Sequence, residues 1–256
     1  MLVTTSADPG ERVRHLAKRV ASELGAPFVE RRGRSIRELG EAQGCAGIVV
    51  VGEDGIRCYG RGKKPFFFHP GMAAVRVKRL MNGERDPMLE AAGAGAGDRV
   101  VDCTMGLGSD AIVFAHAVGP SGKVTAVESE PLLHLVVSHG LAAHEPGDEA
   151  LREAMRRVET VCADHLEYLK TLEDRSVDIV YFDPMFREPA AGPAMEPLRE
   201  LANPAAIRPE AVREARRVAR KAVVLKEKAG SAEFERLGFT PVRRSAGKFA
   251  YGVIRP

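Results

Sequence analysis

Apolar residues in the first part of the chain recur first at helical and then at strand spacing. Between Pro9 and Leu24 they fall at Val13, Leu16, Ala17, Val20 and Leu24, the rhythm of one buried helix face. Gly25 then supplies a stop. Ser35–Glu41 predicts a second short helix. Ile48–Val51 and Ile56–Tyr59 flank Gly52-Glu53-Asp54-Gly55, the pattern of a hairpin. Together these elements predict a small α+β unit of about 65 residues. Phe66-Phe67-Phe68-His69-Pro70-Gly71 leads into a bridging helix. There Met72, Val75, Leu80 and Met81 are expected to form the apolar face, with Arg76, Lys78 and Arg79 turned elsewhere.

Beyond Ala91–Gly97, a glycine-rich hinge or lead into a strand, the pattern becomes an alternation. Strands are predicted at Arg99–Cys103, Lys123–Val127, Val158–Cys162, Val177–Phe182, Ala222–Lys226 and Lys248–Ile254. Helices are predicted at Asp110–Val118, Pro131–Leu141 and Pro209–Ala219, with a short one through Leu166 and a helix end at Phe234–Gly238. Strands separated by helices make βαβ units and a mostly parallel sheet covered on both faces. Ligands of such a sheet bind at the carboxyl ends of its strands, near the point where strand order reverses.

Composition narrows the class. The 256 residues are 45% hydrophobic and 29% charged, ordinary for a globular protein with a real core. No run approaches the roughly 18 apolar residues of a membrane helix, and the N-terminus has no secretory h-region. A cytoplasmic enzyme is the expectation. Cys45, Cys58, Cys103 and Cys162 form no C-x-x-C pair and no cluster with zinc spacing, so no metal is expected. Cys103 and Cys162 lie in apolar strands and are expected to be buried and inert. The net charge of +3 is uneven: Met1–Asp86 holds 16 Lys/Arg against 10 Asp/Glu. A basic N-terminal third fits either an anionic partner, with Arg61, Lys63, Lys64, Arg76, Lys78 and Arg79 as candidate phosphate contacts, or a solvated surface.

The first chemical candidate is the strand–turn–helix passage Val100–Asp110. Its turn, Thr104 through Gly108, carries Gly106 and Gly108. Glycines let the backbone approach a ligand, and the following helix offers free N–H groups. The same residues fit a dinucleotide fingerprint, so the turn by itself serves NAD or S-adenosylmethionine equally. Three strand-end acids favour the latter. Asp102 can hold a cationic amino group but would repel a pyrophosphate. Glu128, 20 residues after Gly108, stands where a carboxylate accepts from ribose hydroxyls, with Ser129 beside it. Asp164 with His165 follows the third strand and can read an adenine amine. Singly, each acid is better explained by a helix cap or a surface charge; four strand-end features in register favour the cofactor.

The second candidate is Asp183-Pro184-Met185-Phe186, after the apolar strand Val177–Phe182. Methylating an aromatic amine requires drawing its lone pair out of conjugation. The Asp183 carboxylate and the Pro184 carbonyl can accept from the two N–H groups, proline adds no competing donor, and Phe186 can stack on the ring. Asp-Pro as an ordinary turn is the competing explanation.

These motifs resemble those of the class I S-adenosylmethionine-dependent methyltransferases. Within that class the chain resembles the ribosomal small-subunit RNA guanine-N(2) methyltransferases of the RsmJ type. The resemblance rests on Gly71-Met72-Ala73 with Arg76 and Lys78, on Asp102-x-Thr104-x-Gly106-Leu107-Gly108-x-Asp110, and on Asp183-Pro184-Met185-Phe186. It implies an α/β fold: a Rossmann-like seven-stranded methyltransferase sheet with a small N-terminal α+β domain. It also implies cofactor contacts at Ser109, Asp110, Glu128, Ser129, Asp164, His165 and Asp183. Ser109 stands where that family usually carries arginine.

The expected organisation is residues 1–70 as an N-terminal domain able to dock RNA and residues 71–256 as the catalytic domain. The expected cofactor is S-adenosylmethionine, and the expected partner is ribosomal small-subunit RNA, with no membrane and no metal. Oligomeric state is left open. Three alternatives stay in play: a methyltransferase acting on a protein amide or small amine, an NAD-dependent oxidoreductase, and a non-catalytic RNA-binding module.

Overall fold

The computed structural model describes residues 1–45, 47–60, 64–184, 198, 201–242 and 248–256. Contacts divide the chain into two compact units. The first comprises Met1–His69 and Pro131–His144, with the described part of Ala191–Ala202; the second holds Pro70–Glu130, Glu145–Ala190 and Asn203–Pro256.

The first unit is built on a four-stranded sheet, β1 (Leu2–Thr5), β2 (Ile48–Gly52), β3 (Gly55–Tyr59) and β4 (Phe66–Phe67), in that order. β2 and β3 form the expected hairpin, and Gly55 takes a φ of +115° at its turn. β1 pairs parallel with β2. This strand escapes sequence patterning because its four residues are all buried and show no alternation. Helix α1 (Glu11–Glu23) packs Val13, Ala17, Val20 and Ala21 inward. Helix α2 (Ile36–Gln43) starts at a capping box in which Ser35 and Glu38 exchange hydrogen bonds of 3.1 and 2.6 Å. Its Leu39 joins Leu2, Ile48 and Val50 in the core.

The segment that sequence spacing assigns to the parallel sheet's second crossover, α6 (Pro131–Ala143), groups with this first unit. Gly140 is the reason it can sit there. A Cβ at that position would overlap the buried Phe68 ring, so the helix backbone lies directly on the aromatic face.

The second unit holds a seven-stranded sheet. Its parallel strands are β5 (Arg99–Asp102), β6 (Lys123–Glu128), β7 (Val158–Cys162), β8 (Val177–Phe182) and β9 (Ala219–Lys228). β10 (Thr240–Val242) and β11 (Phe249–Ile254) complete it antiparallel. The order β10-β11-β9-β8-β5-β6-β7 reverses direction at β5/β8, which opens a crevice at the carboxyl ends of these two strands. β8 is buried throughout, as a central parallel strand must be. Asp178 at its start is accommodated by the Arg99 N–H (2.9 Å) and by both guanidinium arms of Arg220 at 3.0 Å.

Helices α3 (Met72–Met81), α5 (Ser109–Val118) and α7 (Glu149–Arg156) pack together, as do α8 (His165–Lys170) and α9 (Pro209–Val218). α4 (Pro87–Ala92) lies against β9 and β11, and α10 (Glu233–Leu237) against β9 and β10. Gly93 and Gly97, in left-handed conformations, shape the lead from α4 into β5. Among the described residues no helix is long and apolar enough to cross a membrane.

Two expectations are corrected. The apolar face of α3 is not the one assigned: Met72, Val75 and Met81 are 61%, 47% and 56% exposed, whereas Ala73 and Val77 are buried. Arg76 turns inward to ion pairs, and it sets the helix's rotation against the pull of the larger apolar residues. Cys162 is exposed rather than buried, because it ends the sheet's edge strand; Cys103 is buried as expected, and Cys58 is buried too.

Gly140→Ala tests the backbone contact. Alanine favours helix by about 1 kcal/mol, but overpacking a filled core costs about 1–3 kcal/mol. The variant is expected to melt at lower temperature than wild type; a raised melting temperature would show that Phe68 leaves room.

Candidate active site

The carboxyl ends of β5, β6 and β8 lie in register, with Asp102 paired across to Ala126 and to Tyr181. The residues after these strands therefore share one edge of the sheet. Asp102 closes β5 in near-complete burial. Its Oδ1 accepts from the Thr104 N–H (3.0 Å) and the Thr104 hydroxyl (3.4 Å). Among the described residues nothing donates to Oδ2, which is also buried. Burial, with Asp110 nearby, pushes the Asp102 carboxyl up to about 8.

Thr104 links two strands. Its Oγ1 also accepts from the Asp183 N–H at 2.6 Å, so one hydroxyl joins the Asp102 carboxylate to the backbone of Asp183. Gly106 and Gly108 follow at φ +50° and +75°, a left-handed turn that side chains adopt at a cost. The turn is bonded across to its neighbours: Met105 N–H donates to Val127 O (3.0 Å), and Gly106 N–H to Glu128 Oε2 (3.2 Å). Glu128 Oε1 accepts from the Glu130 N–H at 3.1 Å. Burial raises the Glu128 carboxyl above its ordinary value, and the backbone donors pull it back in part.

The remaining sequence candidates divide. Ser129 Oγ accepts from Asn203 Nδ2 at 3.3 Å, and Ser109 Oγ donates to Pro70 O at 3.4 Å. Asp164 caps α8, accepting from Leu166 and Glu167 N–H groups at 2.9 and 3.3 Å, and pairs with Arg208 at 2.7 Å. His165 sets its ring edge-on to Phe182 with centroids 5.7 Å apart, and burial lowers its pKa. Pro184 is half-buried. Phe186 and Met185, like Arg61 and Lys63, lie outside the described residues.

The most heavily engaged candidate is Asp110, in the first turn of α5. It accepts from the Arg76 guanidinium, from the Tyr181 hydroxyl at 2.8 Å and from Lys226 Nζ at 3.3 Å. Arg76 also donates twice to Asp86, at 2.8 and 2.9 Å, and Asp86 caps α4 through the Met88 and Leu89 N–H groups. Lys226 Nζ continues to Asp183 Oδ2 at 2.6 Å. The result is a chain of alternating charge, Asp86–Arg76–Asp110–Lys226–Asp183. Burial opposes ionisation of Asp110, but Lys226 and Arg76 hold its carboxyl well below the usual range. Burial pushes Asp183 up to about 7, with Lys226 pulling it down and Asp110 pushing it up.

Arg76 is thus a buried structural cation and not a phosphate contact. Lys226 and Tyr181 are the members that sequence reasoning missed. A signal existed for Tyr181, whereas Lys226 is located only by the sheet's register. A tyrosine in a wholly apolar strand needs a partner for its hydroxyl. Pairing Phe182 with Leu225 brings the next residues, Asp183 and Lys226, level. Among the described residues no group of His, Cys, Asp and Glu could hold a metal ion.

Comparison with known proteins shows the family. The model of a family described as "Putative SAM-dependent methyltransferase" matches residues 64–237. The Bacillus subtilis protein YpiP, described as uncharacterized, is 42% identical over 255 residues, 99% of each chain. Ribosomal RNA small subunit methyltransferase J of Cellvibrio japonicus is 31% identical over 187 residues, 67% of this chain and 66% of that enzyme. The match therefore spans just under two thirds of the enzyme's length. The crystal structure of a SAM-dependent methyltransferase from Neisseria gonorrhoeae superimposes with a TM-score of 0.66 at 21% identity, covering 100% of this chain and 96% of that one. It shares the fold.

The raised carboxyl of Asp102 makes a stability prediction. Its folded-state pKa lies above the unfolded one, so its contribution is present below about pH 4 and is lost as pH rises towards 8. Asp102→Asn removes that loss. The melting temperature of the variant minus that of wild type is expected to grow more positive from pH 5 to pH 9. A pH-independent difference would contradict the burial of this charge.

Proposed function

The chain belongs to the SAM-dependent methyltransferase family, and we propose that it methylates an exocyclic amine of a nucleic-acid base, guanine in small-subunit ribosomal RNA. Its cofactor is S-adenosylmethionine, and the oxidoreductase alternative falls with the family. The observation that carries the proposal is the run Asp102–Thr104–Asp183. One threonine hydroxyl separates a carboxylate suited to the cofactor from one suited to an amine.

The residues present fit the cofactor. The buried Asp102 Oδ2, with no donor among the described residues, suits the amino group of a methionine moiety. Glu128 keeps lone pairs for ribose hydroxyls beyond the two it gives to backbone N–H groups. Ser129, Asp164 and His165 stand on the same edge for the adenosine. Bound there, S-adenosylmethionine supplies an activated methyl group on a sulfonium. The protein's own task is then to hold and polarise the acceptor.

Asp183 and the Pro184 carbonyl accept from the amine's two N–H groups, which draws the lone pair out of conjugation, and Phe186 stacks on the base. Lys226, already paired with Asp183, disfavours a second ammonium at that carboxylate and so favours a neutral conjugated amine over an alkylammonium. The choice of ribosomal RNA rests on the relatives that carry that name. It gains support from the excess of Lys/Arg in the N-terminal third. Residues 1–70 dock the RNA, and residues 71–256 carry the chemistry.

Two measurements test this reading. Asp183→Ala is expected to lose at least about a hundredfold in labelled methyl transfer to undermethylated small-subunit RNA, with its fold intact by circular dichroism. An unchanged rate removes Asp183 from the acceptor site. RNA affinity is expected to fall steeply between about 50 and 200 mM salt, and a salt-independent affinity would contradict phosphate docking.

A further inference from the structure

Among the described residues, Lys226 is the one cation that touches the proposed acceptor carboxylate from within the sheet. It stands on β9 beside the end of β8, and its side chain is largely buried. Its Nζ lies 2.6 Å from Asp183 Oδ2 and 3.3 Å from Asp110 Oδ2. Its freedom is limited on a third side by the Phe249 ring, 5.9 Å away. Asp110 is itself fixed by Arg76 and Tyr181. An Asp side chain at a strand end has rotamers to choose from. Here one of its oxygens is tied to a lysine that cannot follow it elsewhere without abandoning Asp110.

We propose that Lys226 is a positioning residue for the methyl acceptor: it fixes the Asp183 carboxylate in a single orientation and favours its charged form, while Asp110 and Arg76 fix Lys226 in turn. The inference rests on the reading of Asp183 as the acceptor for the amine. It assigns Lys226 no proton transfer and no contact with the cofactor. An amine is drawn out of conjugation by a carboxylate and hardly at all by a neutral carboxylic acid, whose proton would compete as a donor. The charged groups facing Asp183 are Lys226 from β9, Asp110 from α5 with Arg76 of α3 behind it, and Asp102 from β5. Among the described residues, the Tyr181 phenol also faces Asp183, and the Tyr251 phenol faces Lys226. Of these, only Lys226 both bonds the carboxylate and favours its ionisation.

The test compares Lys226→Met, Lys226→Gln and Lys226→Arg with wild type and with Asp183→Asn. Each is assayed for methyl transfer across pH, for calorimetric binding of S-adenosylhomocysteine and for melting temperature. Lys226→Met and Lys226→Gln are expected to lose on the order of 10–100-fold in kcat, with little change in KM for RNA and in cofactor affinity. The acid limb of their pH profile is expected to move up by about one unit or more as Asp183 loses its cation. Lys226→Arg is expected to restore the limb and much of the rate. Lys226→Gln keeps a donor without the charge, so it serves if Lys226→Met does not fold. A separate readout is the 13C carboxyl titration of Asp183, expected to move up in Lys226→Gln and to stay near wild type in Lys226→Arg. If Asp183→Asn is inactive while Lys226→Met or Lys226→Gln keeps wild-type kcat and pH profile, the role of Lys226 is overturned and the acceptor reading stands. If Asp183→Asn is fully active, the acceptor reading fails first.

Discussion

A single buried carboxylate, Asp110, ties together the elements that build the strand-end site. It opens α5, yet its oxygens reach α3 through Arg76, β8 through Tyr181 and β9 through Lys226. Arg76 carries the connection on to Asp86 and so to the start of α4. Charges this deep are costly, and each is tolerated because the next neutralises it. The asymmetry is large: removing one partner from such a pair costs about 3–5 kcal/mol by leaving the other uncompensated. The geometry around Asp183 is therefore inherited from a network centred on the first turn of α5. That network also overrides the apolar pattern of α3, leaving Met72 and Val75 in solvent.

Much of the fold could be read from residue spacing, because parallel strands and their helices advertise themselves by runs such as Val177–Phe182 and by the glycines between them. β1 and β10 could not. Four wholly buried residues in β1 and three exposed ones in β10 carry no alternation. α7 was missed because its pattern, with Leu151, Ala154 and Met155 buried, lies within a polar stretch. The grouping of α6 with the N-terminal unit was invisible for a different reason. It depends on the overlay of Gly140 on Phe68, a contact between residues far apart in sequence.

At the site, what was legible in sequence was the placement of Asp102, Glu128, Asp164 and Asp183 at or just after strand ends. Their hydrogen bonds were not legible. Glu128 reaches back to Gly106, and Thr104 bridges Asp102 to Asp183. These contacts follow from the sheet's register, which no local pattern encodes. Lys226, and the partner of the Tyr181 hydroxyl, were hidden for the same reason. Lys226 and Tyr181 lie in strands where the apolar neighbours dominate the pattern, and their partners come from α5 and from the end of β8.

The site gathers acids that burial holds near neutrality, Asp102 at about 8 and Asp183 at about 7, where a cationic ligand would ionise them. The proposed assignment of Asp102 to the cofactor's amino group therefore has a thermodynamic signature: binding near pH 7 must expel protons. The most direct measurement is calorimetric titration with S-adenosylhomocysteine at pH 7 in buffers of different ionisation enthalpy. The account predicts binding with net proton release to the buffer, and loss of that release in Asp102→Asn. Binding with no proton exchange, or with the same release in Asp102→Asn, would contradict it.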